Sequence, residues 1–84
     1  MPWIYVLKSI KDDNLYIGST SNLEKRLYYH SSGKVRSTKS RRPLEIIYKE
    51  QYNSLADTRK REIFLKSGQG RKLLADLIRN RLKV

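Results

Sequence analysis

The sequence predicts an α+β fold with its elements in the order strand, strand, helix, strand, helix, helix. Three observations carry that prediction. Trp3-Ile4-Tyr5 and Tyr16-Ile17-Gly18 are strings of β-branched and aromatic residues on either side of a polar cluster, Lys11-Asp12-Asp13-Asn14, and together they read as a β-hairpin. Asn22 and Ser54 each precede a helical stretch as an N-cap residue, and each stretch is closed by a glycine, Gly33 or Gly68. Near the C-terminus, Leu73, Leu74, Leu77, Ile78 and Leu82 recur at helical spacing.

Each element has its own justification. In the hairpin, a two-residue loop at Asp12-Asp13 pairs Lys11 with Asn14, sets Leu7 opposite Gly18 and Tyr5 opposite Thr20, and puts Tyr5 and Tyr16 on one face. A three-residue loop would slip the register by one and send the two phenols to opposite faces. The first helix is expected over Leu23 to Ser32, with Leu23 and Leu27 at core spacing. Arg26 and His30, four residues apart on it, project from one side beside that apolar stripe. From Lys34 to Pro43 the chain reads as a mobile loop that carries Lys34, Arg36, Lys39, Arg41 and Arg42 and no acid, a composition suited to phosphate. Leu44 to Tyr52, with Leu44, Ile46, Ile47 and Tyr48 in an apolar run, is the third strand. Ser54 caps the second helix, with Asp57 at the capping-box position, and the helix runs to Ser67. Its thin stripe of Leu55, Ala56, Ile63 and Phe64 predicts shallow docking, with Glu62 on a charged flank. The last helix, Arg71 to Leu82, reads as an amphipathic lid over the core.

Length and composition narrow the function. A chain of 84 residues suits one domain over residues 1–84, with a single modest core. The absence of cysteine excludes a disulfide framework and a thiolate metal site, and a single histidine excludes a multi-histidine zinc cluster. No signal-like or membrane-spanning run is visible, so the expectation is a cytoplasmic protein with no membrane partner. Nineteen lysines and arginines against eight acids, a formal charge of +11, point to a polyanionic partner, and nucleic acid fits best. Charge selects the class of partner and not the activity.

The paired tyrosine strings, Arg26 and His30 on the helix that follows, and Glu62 on a later helix resemble the GIY-YIG nuclease family, in particular its small single-domain bacterial members. The resemblance covers nearly the whole chain and extends to the strings Leu15-Tyr16-Ile17-Gly18-Ser19-Thr20 and Lys60-Arg61-Glu62-Ile63-Phe64-Leu65-Lys66. Trp3 stands where the first motif has glycine, and Gly70 to Asp76 holds no counterpart of an asparagine found downstream in several branches. The resemblance implies a small three-stranded antiparallel sheet flanked by three helices. It also implies an endonuclease that hydrolyses DNA phosphodiesters with one divalent metal, magnesium or manganese as its substitute, in repair, recombination or the processing of branched or flapped DNA. In the implied site Tyr5 takes a proton from the attacking water, Tyr16 holds that water or a phosphate oxygen, and His30 orients or deprotonates a tyrosine. Arg26 grips the scissile phosphate with its forked donors, favouring phenolate by its charge, and Glu62 is the protein's ligand to the metal. With no room for an added recognition domain, substrate choice falls to DNA shape, to the basic loop or to a protein partner.

The residues taken singly allow plainer roles. Both tyrosines suit half-buried strand positions, and Glu62 stands four residues before Lys66, the spacing of a helix ion pair. The two rivals to the nuclease are therefore an inactive nucleic-acid-binding module of the same fold and a basic structural protein associated with RNA.

Overall fold

The structure, a computed structural model, describes residues 1–82, with the side chains of Arg81 and Leu82 outside the description. Strands β1 (Trp3–Ser9), β2 (Leu15–Thr20) and β3 (Leu44–Gln51) form one antiparallel sheet in the order β2-β1-β3. Helix α1 (Leu23–Ser31) follows the hairpin, a short 3-10 turn (Lys39–Arg41) precedes β3, and α2 (Leu55–Lys66) and α3 (Gly68–Leu82) close the chain. The predicted fold class and element order are those observed.

The hairpin differs from expectation in a way that preserves its consequence. Ser9 and Asn14 close the turn, with the Asn14 carbonyl accepting from Ser9 N at 2.9 Å and the Ser9 carbonyl accepting from Asp13 N at 2.8 Å, so the loop is two residues longer than predicted. Tyr5 is paired with Gly18 and Leu7 with Tyr16, a shift of two from the expected register. Side chains alternate with period two, so an even shift leaves Tyr5 and Tyr16 on the same face. The longer turn is held by its own side chains. Ser9 Oγ accepts from the amides of Lys11 and Asp12, Asp12 Oδ1 accepts from Asn14 N, and Asp13 takes φ 61°, a left-handed conformation that aspartate tolerates.

The central strand β1 sends its side chains to two layers. Ile4 and Val6, with Ile17 of β2 and Tyr48 of β3, face α2 and α3 and meet Leu65 and Leu74 in the core, with Leu77 and Ile78 packed beside them. Tyr5 and Leu7 face α1, where His30 is buried. The N-cap of α1 is Asn22, whose side chain accepts from Lys25 N, and Gly33 at φ 80° follows its end.

Helix α2 docks by a face other than the predicted one. Leu55 and Ile63 are exposed and Phe64 is at the surface, whereas Leu65 and Thr58 are buried. The helix is fastened instead by a polar knot, in which Arg61 forms two hydrogen bonds of 3.0 and 3.1 Å with the Glu50 carboxylate and the hydroxyls of Tyr48 and Tyr52 donate to the same group. Desolvation opposes charge on Glu50, but these donors prevail and hold its carboxyl below the usual range. The knot fixes the rotation of α2 about its axis, and with it the direction of Glu62.

Helix α3 starts three residues earlier than predicted. Ser67 ends α2 and also caps α3, its hydroxyl accepting from Gly70 N at 3.1 Å. A Cβ at Gly70 would lie 1.8 Å from the Phe64 carbonyl oxygen, so this close junction excludes any side chain there. Of the predicted α3 stripe, Leu74 is buried and Leu77 and Ile78 are half-buried, Leu73 lies at the surface, and the side chain of Leu82 lies outside the described residues.

Candidate active site

Four of the five expected catalytic residues meet over the β2 side of the sheet. Gly18 makes this possible. Its place opposite Tyr5 lets the phenol ring fold across the β2 backbone, and a Cβ there would lie 2.5 Å from the Tyr5 hydroxyl oxygen and 2.6 Å from Cζ. Tyr16 lies beside it, the ring centroids 6.3 Å apart, and both rings meet His30 edge to face at 5.5 and 5.0 Å.

Helix α1 supplies the partners from above. Because residues four apart share a helix face, Arg26 and His30 both descend on Tyr5. The Tyr5 hydroxyl lies 2.8 Å from His30 Nε2 and accepts from Arg26 Nε at 3.3 Å. The other nitrogen of His30, Nδ1, lies 2.8 Å from the Thr38 hydroxyl. A chain of polar contacts thus runs from Arg26 through Tyr5 and His30 to Thr38, through residues whose exposures, apart from Arg26, are 1% or less.

Burial dominates the electrostatics of this chain. Desolvation pushes the Tyr5 phenol up to about 12, in spite of the lowering effect of Arg26. The expectation that Arg26 favours phenolate therefore holds in sign, and burial exceeds it. Desolvation, with the nearby Arg26 charge, pushes His30 down to about 4. His30 is accordingly a neutral imidazole at physiological pH, and Tyr5 a phenol. Arg26 is held still more firmly charged, first by its hydrogen bond to Tyr5.

Glu62 reaches the same strand from the opposite layer. It accepts from Ser19 Oγ at 2.7 Å and from Lys66 Nζ at 2.8 Å. Ser19 is the residue next to Gly18, so the carboxylate and the phenol cluster approach adjacent positions of an edge strand from its two faces. Burial opposes ionisation of Glu62, but Lys66 and Ser19 outweigh it and keep the carboxyl below its usual range. The expected helix pair with Lys66 is present, and it coexists with the anchorage on Ser19. Among the described residues no three His, Cys, Asp or Glu side chains gather to form a cage for a metal. One half-buried ionised carboxylate, which the ion would share with Ser19 and Lys66, suits a hard, strongly hydrated ion such as magnesium, which takes most of its ligands from water and phosphate, and does not suit zinc.

The basic loop is more anchored than its composition predicts. Val35 and Thr38 are buried, and a 3-10 turn spans Lys39–Arg41. The Lys34, Arg36 and Lys39 side chains are exposed, Lys34 lying over the rings of Tyr28 and Tyr29. Arg42 is turned back on the protein, donating to the carbonyls of Lys39 and Ser31. Arg41 is half-buried, with Nε 3.8 Å from Asp12 of the hairpin turn, and its carbonyl accepts from Ser9 Oγ. Two residues of the site escaped the sequence reading. Ser19 had a signal, a hydroxyl on the core-facing side of a strand directly after the glycine. Thr38 had a faint one, its spacing of three from Val35 in an otherwise polar, basic loop.

Comparison with known proteins bears on the family and the fold. The chain is similar to a UPF0213 protein of Staphylococcus haemolyticus, 38% identical over 66 residues that cover 77% of this chain and 79% of the relative. It is 44% identical over 66 residues to a UPF0213 protein of Syntrophus aciditrophicus, covering 76% and 75% of the two chains. The solution NMR structure of a UPF0213 protein from Bacillus halodurans superposes with a TM-score of 0.56 at 27% identity, over 92% of this chain and 85% of that one. Residues 1–74 match the GIY-YIG catalytic domain, a span that takes in both tyrosine strands, α1 and Glu62, and the chain therefore belongs to the GIY-YIG nuclease family.

Proposed function

We propose that the protein is a metal-dependent endonuclease that hydrolyses DNA phosphodiester bonds, acting in repair, recombination or the processing of branched or flapped DNA. The observation that carries this reading is the placement of the Tyr5 hydroxyl between Arg26 Nε and His30 Nε2, over Gly18 of β2, whose neighbour Ser19 holds Glu62 from the other face of the sheet. A buried phenol clamped between a cation and a neutral imidazole is poorly explained as packing, because Phe would fill the volume without the desolvated hydroxyl.

The residues divide the work of hydrolysis. Arg26 binds a non-bridging oxygen of the scissile phosphate through its planar donors, which match phosphate geometry. Tyr16 positions the attacking water. As the water oxygen bonds to phosphorus and the bond to the 3′ oxygen breaks, the water's proton passes to the Tyr5 oxygen and the phenolic proton to His30 Nε2, while the departing 3′ oxygen takes a proton from solvent and leaves as a hydroxyl. His30 is neutral and has a nitrogen open to the proton, with its basicity held down first by burial and then by the Arg26 charge. Pairing of Arg26 with phosphate also removes part of the charge that holds the imidazole's basicity down. Glu62 holds the magnesium or manganese ion, which when bound supplies positive charge at the phosphate. The exposed Lys34, Arg36, Lys39 and Arg42, with the half-buried Arg41, bear on the DNA backbone, and phosphate contacts of this kind carry no base information. Specificity then comes from the shape of the DNA or from a protein partner.

Nicking of supercoiled, flapped and branched DNA with and without magnesium tests the proposal. Cleavage that requires the ion and vanishes in Tyr5→Phe is expected. Magnesium-independent binding without cleavage on every substrate would leave a binding module of the same fold.

A further inference from the structure

We propose that Thr38 is a positioning residue of the reaction, its hydroxyl accepting the Nδ1 proton of His30 and thereby leaving Nε2 bare against the Tyr5 hydroxyl. The inference rests on the reading that Tyr5 and His30 move the proton, and it identifies what makes His30 competent to receive it.

The argument is a count of protons. Thr38 Oγ1 lies 2.8 Å from His30 Nδ1 and 3.5 Å from the Val35 carbonyl, to which it donates. Tyr5 Oη lies 2.8 Å from Nε2 and accepts from Arg26 Nε at 3.3 Å. A carbonyl and a guanidinium have fixed roles, acceptor and donor. With the imidazole proton on Nδ1, every contact in the series is satisfied: His30 donates to Thr38, Thr38 to Val35, Tyr5 to Nε2 and Arg26 to Tyr5. With the proton on Nε2, the Thr38 hydroxyl turns to Nδ1 and gives up its 3.5 Å contact with Val35, whose carbonyl keeps the Thr38 amide, and the phenolic proton leaves the imidazole for the neighbouring Tyr16. His30 and Thr38 are buried to 1% exposure or less, so water does not readily take the place of the bond between them. The tautomer that satisfies the bonds is also the one in which Nε2 can take a proton from Tyr5.

The position of Thr38 gives this bond a wider reach. It lies in the middle of the basic loop, between Arg36 and Lys39, and its amide donates to the Val35 carbonyl at 3.1 Å. Any displacement of the loop on DNA acts on the same hydroxyl that sets the tautomer. In this way the phosphate-binding segment and the proton acceptor are one mechanical unit.

His30 is the only histidine of the chain, so its ring nitrogens give a single pair of NMR signals after histidine-specific nitrogen-15 labelling. At neutral pH the proposal predicts a protonated Nδ1 and a pyridine-like Nε2 in the wild type and in Thr38→Ser, and loss of that preference in Thr38→Val. Single-turnover cleavage should fall by roughly 10²-fold in Thr38→Val and recover in Thr38→Ser, with DNA affinity unchanged. A wild-type ring protonated on Nε2 overturns the inference and leaves the nuclease reading standing; this spectrum decides even if Thr38→Val fails to fold. A folded Thr38→Val protein that keeps the wild-type tautomer and rate also overturns it. Absence of cleavage by the wild type, with the ring protonated on Nδ1, overturns the nuclease reading and removes the catalytic role of the bond.

Discussion

Acidification should destabilise this protein well before its carboxylates titrate, because His30 is buried as a neutral ring. The imidazole is 1% exposed and is pushed down to about 4 in the folded chain, against an ordinary value near 6.5. The unfolded chain therefore binds the proton first. A folded-state value below the unfolded one gives stability that is complete above about pH 6.5 and is lost as the pH falls toward 4. The linkage relation puts the loss at about 2 kcal/mol at about pH 5 and about 3 kcal/mol at about pH 4. For a small domain of about 5–10 kcal/mol this is a large share. The assay is urea unfolding of the wild type and of His30→Gln at several pH values between about 7.5 and 5, a window in which Asp12, Glu50 and Glu62, all held below their ordinary values, stay ionised. His30→Gln is expected to be less stable at neutral pH and nearly flat across the window, while the wild type loses the stated amount. Parallel curves for the two proteins would refute the buried, neutral imidazole and with it the direction of proton transfer from Tyr5.

Other perturbations have definite expectations. Gly18→Ala places a methyl group 2.5 Å from the Tyr5 hydroxyl, so the ring must leave Arg26 and His30; nicking should fall by at least roughly 10²-fold, and calorimetry should show a loss of about 1–3 kcal/mol. Arg26→Lys keeps the charge and loses the planar fork, and single-turnover assays should show a rate lower by roughly 10²- to 10³-fold with DNA affinity little changed. Replacing the exposed Lys34, Arg36 and Lys39 by Gln should flatten the slope of log affinity against log salt by about 3, whereas replacing Arg41 and Arg42, both engaged by the protein, should chiefly lower stability. A slope unchanged by the first set would move the DNA track away from the loop.

The parts of the fold legible in the sequence were those set by local chemistry. Asn22 and Ser54 cap helices because their side chains reach amides three residues on, a relation that needs no tertiary contact. The facing of Tyr5 and Tyr16 emerged from a wrong loop length because strand alternation is insensitive to an even shift. The docking face of α2 was not legible in this way. Its apolar residues Leu55 and Ile63 point to solvent, and its seat is made by Leu65 and by Arg61 reaching Glu50, a partner eleven residues away on another element. The candidate site divides along the same line. Its motif residues were visible as strings, whereas Ser19 under Glu62 and Thr38 behind His30 depend on long-range closure and became evident only from distances.

The proposed chemistry depends most directly on Glu62, because it is the acid held on Ser19, next to the glycine over which Tyr5 folds, and the sole protein group assigned to hold the metal. The decisive measurement is the magnesium dependence of single-turnover nicking of supercoiled plasmid by the wild type and Glu62→Gln, with DNA binding measured in the same preparations. The wild type should cleave only with the ion. Glu62→Gln should bind DNA as tightly or slightly more tightly, having lost one negative charge, and should not cleave at any magnesium concentration. Wild-type rates in Glu62→Gln, or nicking by the wild type in the presence of a chelator, would contradict the account.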